Sequence, residues 1–168
     1  DRGGMERPLP RVNATVVLSK ALLQQVFDNL RADGFTLLGP TVREGAIVLD
    51  EIERLDDLPV GWTDEQQPGR YRLKRAPQAL YFGYVVSPHS WKKFLYPPRA
   101  TLFSVKKEGG DWVVQPGETT PSRCAFVGVR PCELQAIAIQ DRVFVSGEYR
   151  DSIYFRRREQ VFILAVNC

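Results

Sequence analysis

Residues 124–168 constrain the fold more than any other stretch of the chain. Residues 124–129 (Cys-Ala-Phe-Val-Gly-Val) form an apolar run with the length and composition of a buried strand. Pro131 then fits the first position of a helix, and Glu133 falls in its first turn, where the helix dipole favours an anion. Leu134, Ile137 and Ala138 follow at helical spacing, and a second apolar run, 161–166, leads to Asn167 and Cys168. Strand, helix and strand in this order predict a parallel pair joined by a right-handed crossover. Cys132 would lie just past one strand and Cys168 just past the other, so both thiols are expected at the carboxyl edge, where open α/β sheets build their sites. The N-terminal end of the crossover helix points there too, an environment that favours the thiolate form metals bind. Two converging thiols make half of a four-ligand metal site.

The remainder of the chain supplies the rest of an α/β domain. Ser19 is placed to cap a helix whose apolar stripe is Leu22, Leu23, Val26, Phe27 and Leu30, and Asp33-Gly34 supplies its stop. Short strands are expected on either side of a Gly39-Pro40 break and across a Glu44-Gly45 turn, with Val16, Val17 and Leu18 pairing briefly with a sheet. Residues 51–70 are acidic and turn-rich and read as a surface excursion; 71–75 alternate like an edge strand. Ser87-Pro88 starts a short helix carrying Trp91, Lys92, Lys93 and Phe94, which Pro97-Pro98 ends. Residues 100–105 and 112–114 flank a turn-rich 106–110 in the manner of a hairpin. The expected fold is therefore α/β: a mixed sheet with a strand–helix–strand parallel unit near the C-terminus and a packed N-terminal helix. Residues 1–15 read as an extended arm, the first of them possible vector residues, and 16–168 as a single domain.

Composition narrows the function classes. A net charge of +3 spread along 168 residues is too mild to argue for nucleic acid, and the aromatics at 81–103 read as core and interface, not as a base-stacking platform. No apolar stretch has the length of a membrane span, no signal-peptide pattern is read at the N-terminus, and the odd count of three cysteines does not form a secreted disulfide framework. A cytoplasmic setting is expected. His89 is the only histidine, which excludes a multi-histidine metal site and leaves a thiol enzyme a single candidate base. Cys124 opens a buried strand and reads as structural. Arg130 is read two ways, as a countercharge for a bound anion or cluster and as a surface partner of Glu133, and Arg156–Arg158 as a solvated helix face or docking patch.

Residues 128–137 (Gly-Val-Arg-Pro-Cys-Glu-Leu-Gln-Ala-Ile), 140–144, 154–159 and 165–168 (Ala-Val-Asn-Cys) together resemble one family. It is the iron–sulfur, 4Fe-4S dicluster electron-transfer subunits of multi-subunit oxidoreductases, as found in sulfhydrogenase-type nickel–iron hydrogenases, where it is the beta chain, and in anaerobic sulfite reductases. Residues 92–103 are similar to the family's lysine, proline-rich, leucine-phenylalanine segment. The resemblance covers roughly residues 77–168. Glu133 stands where the family carries aspartate, and Cys124 at a position not associated with a family cysteine. In the family the Asn-Cys pair precedes a cysteine-rich segment and a ferredoxin-like domain, which implies that these residues are the N-terminal domain of a longer protein. The resemblance further implies that Cys132 and Cys168 hold or shield a 4Fe-4S cluster completed by downstream cysteines; Arg130, on the first of its two readings, would bind beside it. It implies catalytic and flavin-containing partner subunits. Three thiols are too few for a complete four-cysteine site, so the chain is expected to fold without a cluster of its own and to carry out no bond-making chemistry alone.

Two other readings stand beside this one. A nucleotide- or flavin-binding module would use the helix N-terminus as an anion site, although residues 128–132 hold one glycine and a proline that removes a donor. A purely structural docking domain would carry no cofactor.

Overall fold

The fold is organised around the strand β7 (Cys124–Val129), buried along nearly its whole length. The computed structural model describes residues 11–84, 89–117 and 121–167. β7 pairs in parallel on both sides, with β1 (Thr36–Arg43) and with β8 (Val161–Ala165). β2 (Ala46–Glu51) adds an antiparallel edge to β1, so the four-stranded order is β2-β1-β7-β8. This is the expected mixed α/β sheet.

Strand alternation divides the core between its two faces. Leu37, Ala125 and Val127 point to one side and pack against Phe27 and Leu30 of α1 (Leu23–Ala32), together with Ile52, Leu55 and Leu58. Leu38 and Phe126 point to the other, into a cluster with Trp91, Leu95, Ile137 and Tyr154. Those last residues belong to or adjoin α2 (Lys92–Leu95), α3 (Pro131–Phe144) and α4 (Ser152–Glu159). The sheet is thus covered on both faces.

α1 ends as glycine dictates. Gly34 adopts φ +83°, the Phe35 N–H donates to the Leu30 carbonyl at 3.0 Å, and the Gly34 N–H to that of Arg31 at 2.9 Å. Its start differs from expectation: a 3-10 turn, Lys20–Leu22, precedes it, and the Ser19 side chain makes no capping hydrogen bond. Val16, Val17 and Leu18 lie outside any strand and are exposed.

Gly39-Pro40 does not break β1. The Ile52 N–H donates to the Leu37 carbonyl, which makes Leu38/Glu51, and therefore Pro40/Leu49, a non-hydrogen-bonded pair. The nitrogen of Pro40 then faces the β7 side, where pairing with β1 has already stopped at Leu38. Nothing is lost by its missing donor.

Residues 51–70 are more than a surface excursion. Ile52, Leu55 and Leu58 are core, and β3 (Trp62–Gln67) pairs with β4 (Arg70–Arg75). The Tyr71 hydroxyl accepts from the Ile47 N–H at 3.1 Å, so this hairpin covers an unpaired donor on the edge strand β2. A second hairpin, β5 (Phe103–Glu108) with β6 (Asp111–Pro116), turns on two residues, Gly109 and Gly110, both at positive φ. The crossover from β7 to β8 contains two helices, α3 and α4, where one was expected. Of the short helix, Lys92–Leu95 is present; Ser87 and Pro88 lie outside the described residues, as does the arm up to residue 10.

Candidate functional site at the carboxyl edge

The carboxyl edge is shaped by one irregularity in β7. Val127 pairs with Leu164 and Val129 with Ala165, leaving Gly128 as an extra residue at φ +83°. This bulge shifts the alternation by one position, so Val129 joins Phe126 in the second core cluster instead of Val127 in the first. Only glycine suits the place: a Cβ would meet the Phe82 ring at 3.0 Å and the Tyr84 hydroxyl at 3.1 Å. That hydroxyl donates to the Gly128 carbonyl at 3.3 Å. The last ladder bond runs from the Val166 N–H to the Val129 carbonyl at 2.9 Å.

α3 starts immediately beyond. Pro131 takes its first position, and the Glu133 carboxylate accepts from the Arg130 main-chain N–H at 2.8 Å, so the first turn is fixed from both sides. Cys132, between them, is an exposed free thiol. The stripe running down the helix from it, Ala136, Ile139 and Val143, is exposed and apolar.

The two readings of Arg130 are resolved against the ion pair. Its guanidinium donates to the Tyr84 carbonyl and lies over the Tyr84 ring at 4.7 Å, whereas Glu133 binds the main-chain N–H of Arg130. The result is a positive charge held beside the first turn of α3. Tyr84, the residue that anchors it, is 46 positions away in the chain, and only the fold brings the two together.

Cys132 and Arg130 are thus neighbours on one turn. Cys168 lies outside the described residues, which end two positions beyond the Ala165 terminus of β8 at Asn167. Cys124 is half-buried, packs against the second core cluster and donates weakly to the Ser122 carbonyl at 3.6 Å, in keeping with its structural reading. Among the described residues no three His, Cys, Asp or Glu side chains converge as a metal-ion site would. Cys132 is one exposed thiol of the type that thiolate-held clusters use, and the Arg130 guanidinium lies over Tyr84.

One member of the arginine run, Arg158, is tied into the fold. The Arg158 Nε donates to both oxygens of Asp141, at 3.1 and 3.2 Å, and the Tyr154 hydroxyl donates to the same carboxylate at 2.7 Å. Burial, reinforced by that carboxylate, pushes the Tyr154 hydroxyl well above its ordinary range. Asp141 therefore ties α3 to α4. Arg156 is exposed and donates to the Ser152 carbonyl within its own helix.

No protein-family model, curated protein or solved structure matches this chain. No helix among the described residues is long and apolar enough to cross a membrane.

Proposed function

We propose that this domain belongs to an electron-transfer subunit of a cytoplasmic multi-subunit oxidoreductase of the hydrogenase or sulfite reductase type. In this reading Cys132 and Cys168 hold or shield a 4Fe-4S cluster whose other ligands lie outside these residues. The observation that supports it is the parallel pairing of β7 with β8 up to the Val166–Val129 hydrogen bond. From that shared point the chain has three residues to run to Cys132 and two to Cys168.

Each neighbouring residue has a part in this reading. Pro131 and the Glu133 cap fix the turn that carries the exposed Cys132 thiol. Arg130, held on Tyr84, sets a positive charge against an anionic cluster without spending a mobile side chain on it. The cluster itself would supply one-electron transfer. An anion site at the helix N-terminus for a nucleotide is less well supported, because the Glu133 carboxylate already takes the Arg130 N–H there.

The test is anaerobic iron–sulfide reconstitution of the natural polypeptide that carries these residues, beside its Cys132→Ser and Cys168→Ser forms. Loss of one cluster's iron in either variant is the expected result; unchanged iron in both sinks the cluster reading. A docking scaffold without cofactor is the second reading, favoured by the β5–β6 ribbon. The register places Phe103, Val105, Trp112 and Val114 on one face of it, with Phe103 61% and Trp112 70% exposed. On that reading Trp112→Ser weakens assembly with the catalytic and flavin-containing subunits while iron content stays constant.

A further inference from the structure

We propose that two copies of this chain dimerise by exchanging residues 14–18, each segment adding as an antiparallel strand to the outer edge of β8 in the other copy. β8 ends the sheet order, and among the described residues no strand lies beyond it. The Cys124 N–H donates to the Gln160 carbonyl at 3.0 Å and the Val166 N–H to the Val129 carbonyl at 2.9 Å. Even-numbered residues of this stretch therefore turn their main-chain groups toward β7, and Val161, Ile163 and Ala165 turn theirs outward. The opposite edge of the sheet, β2, is covered at Ile47 by the Tyr71 hydroxyl. β8 carries neither a charge nor a proline, the usual guards of an exposed edge.

The matching strand is in the same chain. Thr15, Val16, Val17 and Leu18 are exposed, Val17 at 99%, and among the described residues they make no main-chain hydrogen bond. A strand that is apolar on both sides suits this place, because helices cover both faces of the sheet. Tethering through α1 holds the segment at a roughly millimolar effective concentration near its own β8. It stays unpaired there, so the route onto such an edge is through a second copy.

Length and charge set the register. The segment 14–18 matches the five residues of β8. Antiparallel pairing with Leu18 opposite Val161 puts Val17 opposite Phe162, which is 42% exposed, and Val16 opposite Ile163. The same register brings Lys20 to Glu159, both exposed and opposite in charge. A parallel alignment of the same residues would instead set Arg11 against Arg158. A two-fold axis repeats the contact, so each dimer holds two exchanged strands. The exchange does not depend on whether Cys132 carries a cluster.

The experiment is sedimentation equilibrium of the natural polypeptide that carries these residues, where a monomer–dimer equilibrium is expected. Val17→Asp changes a side chain too exposed to support the monomer fold. It should raise the dimer dissociation constant at least about a hundredfold, because the dimer buries the charge twice. Ala165→Pro, at an exposed position, removes an outward donor and no bond to β7, and should do the same. The two variants mixed should associate more tightly than either does alone, since the intact segment of one fits the intact edge of the other. A chain that stays monomeric, a dimer indifferent to Val17→Asp, or a mixture that associates no better than its components overturns the proposal. A chain monomeric alone that loses a different subunit through Val17→Asp also overturns it and gives the segment to that subunit.

Discussion

At Gly128 a left-handed φ of +83° and the close approach of Phe82 and Tyr84 act together. Alanine there would have to adopt a conformation L-residues avoid and push against a ring in the same step, so Gly128→Ala is expected to cost about 1–3 kcal/mol. Urea unfolding measures it; a change under about 0.5 kcal/mol, the scale of an ordinary surface substitution, would mean the bulge is not needed. Tyr154 makes a prediction of different sign. Its hydroxyl titrates higher in the folded state than the ordinary 10.0 of an unfolded tyrosine, so the folded state holds that proton more tightly. The stability this confers is complete below about pH 10 and fades as pH rises toward the folded value. Tyr154→Phe should lower stability at neutral pH by about 1 kcal/mol through the lost bond to Asp141. It should also flatten the alkaline limb of the stability–pH curve, and an unchanged limb would place that dependence elsewhere.

Among the elements, α4 shows what a helix needs when its apolar periodicity is weak. The Asp151 Oδ1 accepts from the main-chain N–H groups of Ile153 and Tyr154, at 3.0 and 2.8 Å, satisfying two donors of the first turn. Asp151→Ala is expected to cost about 1 kcal/mol and to fray Ser152 and Ile153 first, which hydrogen exchange of those amides would reveal. The same weakness explains why the sequence offers a solvated helix face at Arg156–Arg158 but not the bounds of a second crossover helix, and the link of Arg158 to Asp141 is visible only in the fold. β7, the start of α3 and β8 are legible because local signals agree, an apolar run, a proline at the first helical position and a second apolar run. β3 is not, because Asp64, Glu65, Gln66 and Gln67 give a polar strand whose pairing comes from its neighbour β4. At the site, the exposed turn holding Cys132 follows from Pro131, whereas the Tyr84 anchor of Arg130 is a product of tertiary packing.

The whole molecule is uneven in how firmly its parts are held. The central sheet is buried between α1 on one face and α2, α3 and α4 on the other, while β5 and β6 pack chiefly on each other and are exposed along nearly all their length. A two-stranded ribbon is marginal by itself, and at its base the Gly117 N–H donates to the Leu102 carbonyl at 2.8 Å. Local opening should therefore release β5 and β6 without unfolding the sheet. Amides of Val105 and Val114 are expected to exchange at least about a hundredfold faster than those of Phe126 and Val127, a gap of about 2.7 kcal/mol. Replacing residues 103–116 by a short glycine turn should then shift Tm by less than about 4 °C, because the burial that stabilises the domain lies in the sheet. If Val105 instead exchanges in step with Phe126, the ribbon is a cooperative part of the fold, and its apolar face cannot be read as a surface reserved for another subunit. Slow exchange appearing only in the presence of the partner subunits would identify the ribbon as the place where they dock.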